Sequence, residues 1–411
     1  MKTLSKSRFV SGVQCEKKLW YSYYRKDLQL PTDEQTQAIF DLGHQIGNLA
    51  QNRFPNGKDA TPEDFSDFSP SIEKTKLWIA EEVETIYEAT FTAKNALCML
   101  DILHRMNDEI WAIEVKNSTS VKDYHLTDAS LQYFVMKEAG YAPDKFFLMH
   151  INNQYIKNGE LTDEFFHLED ITDKVLSKQT WVEENLERLL VMLENKQEPN
   201  VSIGAHCSSP FACDFVHHCW KHIPENSVFE LYRGGNKAWE LYEQGILKIE
   251  DIEDDFPLTH FQHLQRKGLR NQEQYINKEA IKNMISSWQF PLYFFDFETV
   301  FPAIPVLDGT RPYQQVPFQY SLHILEEDGR LSHQEFLAHP EDFSNGKNPL
   351  KLLVEQLKQD FGTDGNIVTY NQSFEVARLN ELANMFPEDA PFLKNLVSRV
   401  VDLLPVFQGG F

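Results

Sequence analysis

Three groups of side chains in this sequence are spaced so that they could do chemistry. In LCMLDILHRMNDEIWAIEVKN, Asp101 is followed, after twelve intervening residues, by a Glu-x-Lys, Glu114 and Lys116. Residues i and i+2 of a strand face the same way, so Glu114 and Lys116 look into one pocket. A hairpin of this length lets Asp101 reach that pocket from the neighbouring strand. Two carboxylates suit a divalent cation, Mg²⁺ or Mn²⁺, which would polarise a phosphate and activate water. The lysine would orient that water or stabilise charge developing on phosphorus. A solvated Glu–Lys pair at a strand edge is the plainer reading, but IWAIEV is otherwise apolar, and a carboxylate there is costly without a purpose.

The second group is Asp296 and Glu298 in FFDFET, again at i and i+2, with Asn371 and Glu375 in TYNQSFEVARL. The latter pair falls where a strand meets a helix. A buried Asp–Glu pair held by structural hydrogen bonds is the alternative. The third group is cysteine. Cys15 stands in FVSGVQCEKKLW, and Cys207, Cys213 and Cys219 stand in GAHCSSPFACDFVHHCW. Four clustered thiols suit a metal more than disulfides in a chain expected in the cytoplasm. Zinc is one occupant, because His206, His217, His218 and His222 lie close by. Cys98 is read as a core residue.

These residues need elements to hold them. Helical spacing of Ile39, Leu42, Ile46 and Leu49 predicts a helix over 33–52, capped by Thr32 or Asp33. His44 lies off that apolar stripe. A helix near 72–84 is followed by three strands, IYEATF, ALCMLDIL and EIWAIEVK. A helix over 125–140, the strand KFFLMHI and one long amphipathic helix over 173–197 come next. From Pro291 the pattern predicts PLYFFDFETV, PFQYSLHIL and SHQEFLAH as strands, then a helix (350–360), the strand NIVTY and a helix (374–385). The expected fold class is α/β, in three parts: 1–225, a helical connector at 226–285, and 286–411.

The set His44 in LGHQIG, Asp101, Glu114, Lys116 and Gln132 in the following helix resembles the RecB-type branch of the PD-(D/E)xK nucleases. The resemblance implies a restriction-endonuclease-like fold in which His44 joins Asp101 and Glu114 as a metal ligand and Gln132 contacts the site or substrate. Where the family often has a tyrosine four residues after the Gln, this chain has Met136, with Tyr133 beside Gln132. Glu88 is a further acidic candidate. One distant N-terminal cysteine with three clustered later resembles the 4Fe–4S staple of RecB-like CRISPR-adaptation and AddB-type nucleases, although the C-x5-C-x5-C spacing departs from theirs. Such a staple implies iron–sulfur at Cys15, Cys207, Cys213 and Cys219, with Zn²⁺ the alternative.

Asp296, Glu298, Asn371 and Glu375 resemble the RNase H-like DEDD exonucleases, in which carboxylates hold two metals. Glu375 takes the place of the usual Asp of the second motif, and Asp402 in VVDLLPVF falls at a recurrent family position without being a ligand. The family's last motif has no counterpart before Phe411, which implies a truncated RNase H-like domain. Taken whole, including GTRPYQQVPFQYSLHI, the chain resembles an uncharacterised bacterial family joining the two domain types. The resemblance implies a metal-dependent nuclease, with exonuclease activity as the expected mode and DNA favoured over RNA, in repair or defence. The alternatives are a 3'-5' exonuclease working through the C-terminal domain on RNA or DNA, and a non-catalytic nucleic-acid-binding module with relic sites.

Composition sets the background. The chain has 411 residues, 42% hydrophobic and 25% charged, as in ordinary globular domains. Its net charge of −23 argues against a generally basic nucleic-acid coat. Locally, Lys2, Lys6, Arg8, Lys17, Lys18, Arg25 and Lys26 outweigh Glu16 and Asp27 and interleave with Trp20, Tyr21, Tyr23 and Tyr24. That segment suits phosphates and stacked bases, or equally a solvated helix with its aromatics in the core. No run reaches the roughly 20 apolar residues of a membrane span, and no membrane partner is expected.

Overall fold

The computed structural model describes residues 2–343 and 347–408. The chain is mixed α/β and forms two compact units, residues 1–155 with 161–223, and residues 156–160 with 224–411. The expected connector, 226–285, thus groups with the C-terminal unit.

The N-terminal unit runs β1 (Leu4–Ser5), α1 (Lys6–Gln14), α2 (Glu16–Tyr24), α3 (Glu34–Gln51), β2 (Lys58–Asp59), α4 (Ser69–Ala80), β3 (Thr85–Ala93), β4 (Ala96–Met106) and β5 (Glu109–Lys116). It continues through α5 (Asp123–Glu138), β6 (Lys145–Ile151), β7 (Phe166–Asp170), α6 (Thr172–Leu176), α7 (Gln179–Glu194) and α8 (Val216–Cys219). The sheet order is β2-β3-β4-β5-β6-β7, with β1 paired to β4. β3, β4 and β5 form an antiparallel meander, and β5 runs parallel to β6 across the α5 crossover. Every residue of β6 after Lys145 is buried, as expected of a strand covered on both faces.

α1, α5 and α7 pack on one another beside the sheet, around Phe9, Leu100, Phe134, Phe146 and Leu189. α5 is buried on nearly all sides from His125 to Met136, which leaves its sequence without a clear apolar stripe. The cap of α3 is Asp33, whose carboxylate accepts the Thr36 N–H at 2.7 Å. The single helix expected over 173–197 is two. Ser177 Oγ bonds the Lys174 carbonyl at 2.8 Å, satisfying locally what a continuing helix would use, and the chain turns before α7. The N-terminal aromatics fill the core. Trp20 and Tyr21 are buried with Phe215, and Tyr23 and Tyr24 are half-buried.

The C-terminal unit carries α9 (Asn236–Glu243), α10 (His260–Asn271), α11 (Lys278–Ile285), β8 (Leu292–Val300), β9 (Val316–Leu325) and β10 (Leu331–Leu337). Then come α12 (Pro349–Asp360), β11 (Asn366–Thr369), α13 (Ser373–Met385), α14 (Ala390–Ser398), β12 (Val400–Asp402) and α15 (Leu404–Gln408). α9 and α10 gather around Val228, Leu231, Leu241 and Ile249. The sheet order is β10-β9-β8-β11-β12. β9 is antiparallel to both neighbours, while β11 is parallel to β8 and β12. From Tyr293 to Glu298, β8 alternates buried and exposed. Phe295 and Phe297 enter a core with Tyr320, Leu353 and Leu379, and Asp296 and Glu298 point the other way into solvent. Gly365 opens β11 at φ +87°, where an added Cβ would collide with the Pro291 carbonyl.

Candidate functional site

The meander lines up three carboxylates. The pairs Tyr87↔Ile102 and Ala89↔Leu100 put Glu88 opposite Asp101, and Ile102↔Ile113 puts Asp101 opposite Glu114. Cross-strand neighbours share a face, so the row runs over β3, β4 and β5. Glu88 has φ +53°, a left-handed conformation that costs a non-glycine residue energy and breaks the β3–β4 ladder at this row.

Glu114 is 1% exposed, and its burial is compensated by donors. Lys6 Nζ reaches both its oxygens at 2.9 and 3.2 Å, Lys116 Nζ reaches Oε1 at 2.7 Å, and Gln132 Nε2 reaches Oε2 at 2.8 Å. Lys116 Nζ also donates to Asp128 Oδ2 at 2.7 Å, and Gln132 Nε2 lies 3.3 Å from Asp128 Oδ1. Asp101 Oδ2 accepts the Val115 N–H at 2.6 Å. Burial pushes Glu114 upward, but Lys116 and Lys6 outweigh it and hold the carboxyl far below its ordinary value. Burial and then the Glu114 charge raise Asp101 to about 6. Burial and then Asp101 raise Glu88 to about 8. Three acids on one row therefore carry three different proton affinities.

Asp101, Glu114, Lys116 and Gln132 are thus brought together, with Glu88 beside them. His44 is exposed on α3, and among the described residues no hydrogen bond or ion pair joins it to this cluster. Sequence reasoning missed two members. Asp128 stands four residues before Gln132 on α5, a spacing that shares a helix face and was legible. Lys6, 108 residues before Glu114, leaves no local signal. Cys98 is buried, with Sγ 3.9 Å from the Gln132 carbonyl, as a core residue would be.

The four remaining cysteines line one cavity together with Lys17, Lys18, Tyr21, His206 and Phe215. Cys15 sits at the corner between α1 and α2, and Cys219 ends α8. The Cys213 N–H donates to the Cys207 carbonyl at 3.0 Å. Gln14 Nε2 ties α1 to the cysteine loop through the His206 and Phe211 carbonyls at 2.7 and 2.6 Å. Burial, with the neighbouring Cys15 and Cys207 adding to it, raises Cys213 to about 11. All are free thiols. Of the histidines near them, His206 lines the cavity, whereas His218 packs edge-on to Tyr21 at 5.5 Å. Among the described residues no group of three or more His, Cys, Asp or Glu stands in metal-ligating geometry.

In the C-terminal unit Glu375 lies in the first turn of α13, 2% exposed, with Oε2 lacking a hydrogen-bond partner among the described residues. Burial, then Asp296 and Asp402, push it up to about 7. Asp402 Oδ1 accepts the N–H groups of Asn371 and Leu404, each at 2.9 Å. Asn371 adopts φ +68°, which asparagine tolerates, and its Oδ1 accepts from Ser373 Oγ at 2.9 Å. It shapes the strand-to-helix junction. Glu298 shares the exposed face of β8 with Asp296.

Residues 293–411 match a family model described as a domain of unknown function, DUF2779. The chain is 28% identical over 120 residues to the uncharacterized protein MG366 of Mycoplasma genitalium, covering 28% of this chain and 18% of that protein. It is 32% identical over 121 residues to the MG366 homolog of Mycoplasma pneumoniae, covering 28% and 18%. The uncharacterized protein UU173 of Ureaplasma parvum is 29% identical over 136 residues, covering 31% and 19%. The chain thus spans under a fifth of the length of these curated relatives. A structure titled "Crystal structure of SSO0001" aligns with TM-score 0.29 and 15% identity, over 53% of this chain and 86% of that one.

Proposed function

We propose that the N-terminal unit is a divalent-cation-dependent nuclease of RecB-type PD-(D/E)xK architecture, hydrolysing phosphodiester bonds with DNA as the favoured substrate. The observation that carries this reading is the row of Glu88, Asp101 and Glu114 with Lys116 bonded to Glu114. Asp101 and Glu114 are hard oxygen donors that fit Mg²⁺ or Mn²⁺. When bound, that cation supplies Lewis acidity toward the phosphate and a water of lowered pKa. Asp128 holds the Lys116 ammonium beside Glu114, in place to stabilise charge developing on phosphorus, and Gln132 donates to both carboxylates and fixes their orientation. Cys15, Cys207, Cys213 and Cys219 line one cavity and would supply the thiolate donors for a soft metal, a 4Fe–4S cluster or a zinc ion, which would staple the two ends of the unit together.

A second reading assigns hydrolysis to the C-terminal unit, and the clustering of Glu375 with Asp296 and Asp402 favours it. The sheet order β10-β9-β8-β11-β12 supports an RNase H-like arrangement for this unit. Cleavage of end-labelled single- and double-stranded DNA and RNA with Mg²⁺ or Mn²⁺ separates the two. Lys116→Ala should slow cleavage about a hundredfold to a thousandfold while nucleic-acid binding persists. Loss of cleavage in Asp296→Ala alone would move the chemistry to the second unit. Full cleavage by both variants would sink both readings.

A further inference from the structure

Glu114 is saturated with donors, and they are not equivalent. Lys116 is anchored twice, by ionic bonds of 2.7 Å to Glu114 and 2.7 Å to Asp128. Gln132 is fixed between the same two carboxylates. Lys6 reaches both oxygens of one carboxylate, Glu114, at 2.9 and 3.2 Å, and among the described residues otherwise only the neutral Met99 carbonyl at 3.0 Å, with no second carboxylate to anchor it. Its side chain is also the more open of the two, 27% exposed against 22% for Lys116. Asp101 keeps one oxygen without a hydrogen-bond partner among the described residues, since Oδ2 takes the Val115 N–H. A cation entering between Asp101 and Glu114 must therefore take Glu114 oxygens from a lysine, and Lys6 is the one with less to lose.

We infer that Lys6 is an exchangeable counter-cation of Glu114, a positioning residue that holds the carboxylate oriented until a divalent cation displaces it. The inference rests on reading Asp101 and Glu114 as cation ligands. The exchange involves no covalent step: the ammonium's contacts with the two Glu114 oxygens give way to metal–carboxylate coordination, and the ammonium returns to solvent with its proton. Lys6 thereby competes with the cation, so it sets the affinity of the site as well as its shape.

The test is Mn²⁺ binding to the full chain, followed by calorimetry and by the paramagnetic resonance signal of free Mn²⁺, for wild type, Lys6→Met and Lys6→Arg. Removing a competing charge a few ångströms from the ligands should tighten Mn²⁺ binding in Lys6→Met by about tenfold or more. Lys6→Arg, with a two-pronged grip on Glu114, should bind Mn²⁺ more weakly than wild type. A merely structural lesion lowers affinity and cannot raise it. Wild type and Lys6→Met binding Mn²⁺ equally would overturn the exchange and leave the metal site standing. No Mn²⁺ bound by folded wild type or by either variant would overturn the proposed function, and the exchange with it. Should Lys6→Met fail to fold, Lys6→Arg decides, and binding as tight as wild type or tighter overturns the inference.

Discussion

Replacing Glu375 with glutamine isolates the electrostatic load on the second carboxylate cluster. The Glu375 carboxyl is buried at the start of α13, faces Asp296 and Asp402, and has its proton affinity raised from the ordinary 4.5 to about 7. An acid whose folded value lies above its unfolded value keeps the folded chain more protonated between the two. Stability therefore falls as pH rises from about 4.5 to 7 and levels off above. Each tenfold in proton affinity is worth 1.36 kcal/mol, so the full difference is roughly 3 kcal/mol. Because Asp296 is open to water, screening reduces this to ~2 kcal/mol. Glutamine keeps the shape and cannot ionise. The variant should gain on wild type by about 4–8 °C in melting temperature between pH 5 and pH 8, at roughly 2–4 °C per kcal/mol. The assay is thermal unfolding of both chains at pH 5, 6, 7 and 8 in chelator. A melting-temperature gap that stays constant across the series would refute the account of Glu375 as an acid whose proton affinity is raised by burial and by Asp296 and Asp402.

Asp128→Ala leaves the buried Lys116 ammonium with Glu114 alone; it should destabilise the N-terminal unit by about 3 kcal/mol, and an unchanged melting profile would mean that Lys116 is not held as described. Gly365→Ala forces a Cβ onto the Pro291 carbonyl at positive φ. It should cost the C-terminal unit about 2–4 kcal/mol, read as a lower denaturation midpoint, and a neutral outcome would show that β11 can shift. Anaerobic purification with iron and zinc analysis tests the thiol cavity. Wild type should carry a metal that Cys213→Ser loses, four irons with a broad absorbance near 400 nm marking a cluster. Absence of any metal in wild type would remove the staple.

The strands were the most legible part of the sequence, because β-branched and aromatic residues alternate or run together there. KFFLMHI became β6 residue for residue, and Glu114 and Lys116 share a face as their i, i+2 spacing demands. Glu88 was legible as an acid, whereas its positive φ was not, since nothing in IYEATF signals a left-handed residue. The helix over 173–197 was read as one piece because Ser177 interrupts it with a side-chain hydrogen bond rather than with glycine or proline. α14 and β12 went unread because both are short, and VVD shows no alternation. The N-terminal basic segment admitted two readings. Packing decided for the core, since Trp20 and Tyr21 are covered by Phe215 and lysine heads go inward, Lys6 to Glu114. The cysteines were legible as a group and the cavity gathers them, but their spacing could not say which histidine would join.

α1 and α2 have a consequence for the living chain as it is made. Lys6 waits for Glu114, Gln14 for the His206 and Phe211 carbonyls, Trp20 for the Asn195 carbonyl and Tyr21 for Glu198. At a ribosomal pace of about 5–20 residues per second, roughly ten to forty seconds separate synthesis of these helices from synthesis of their last partners. During that interval Phe9, Leu19 and Trp20, all buried in the finished unit, are in water or in the hands of a chaperone. α1 and α2 are made well before the residues that lock them in, so the thiol cavity is completed by that late closure.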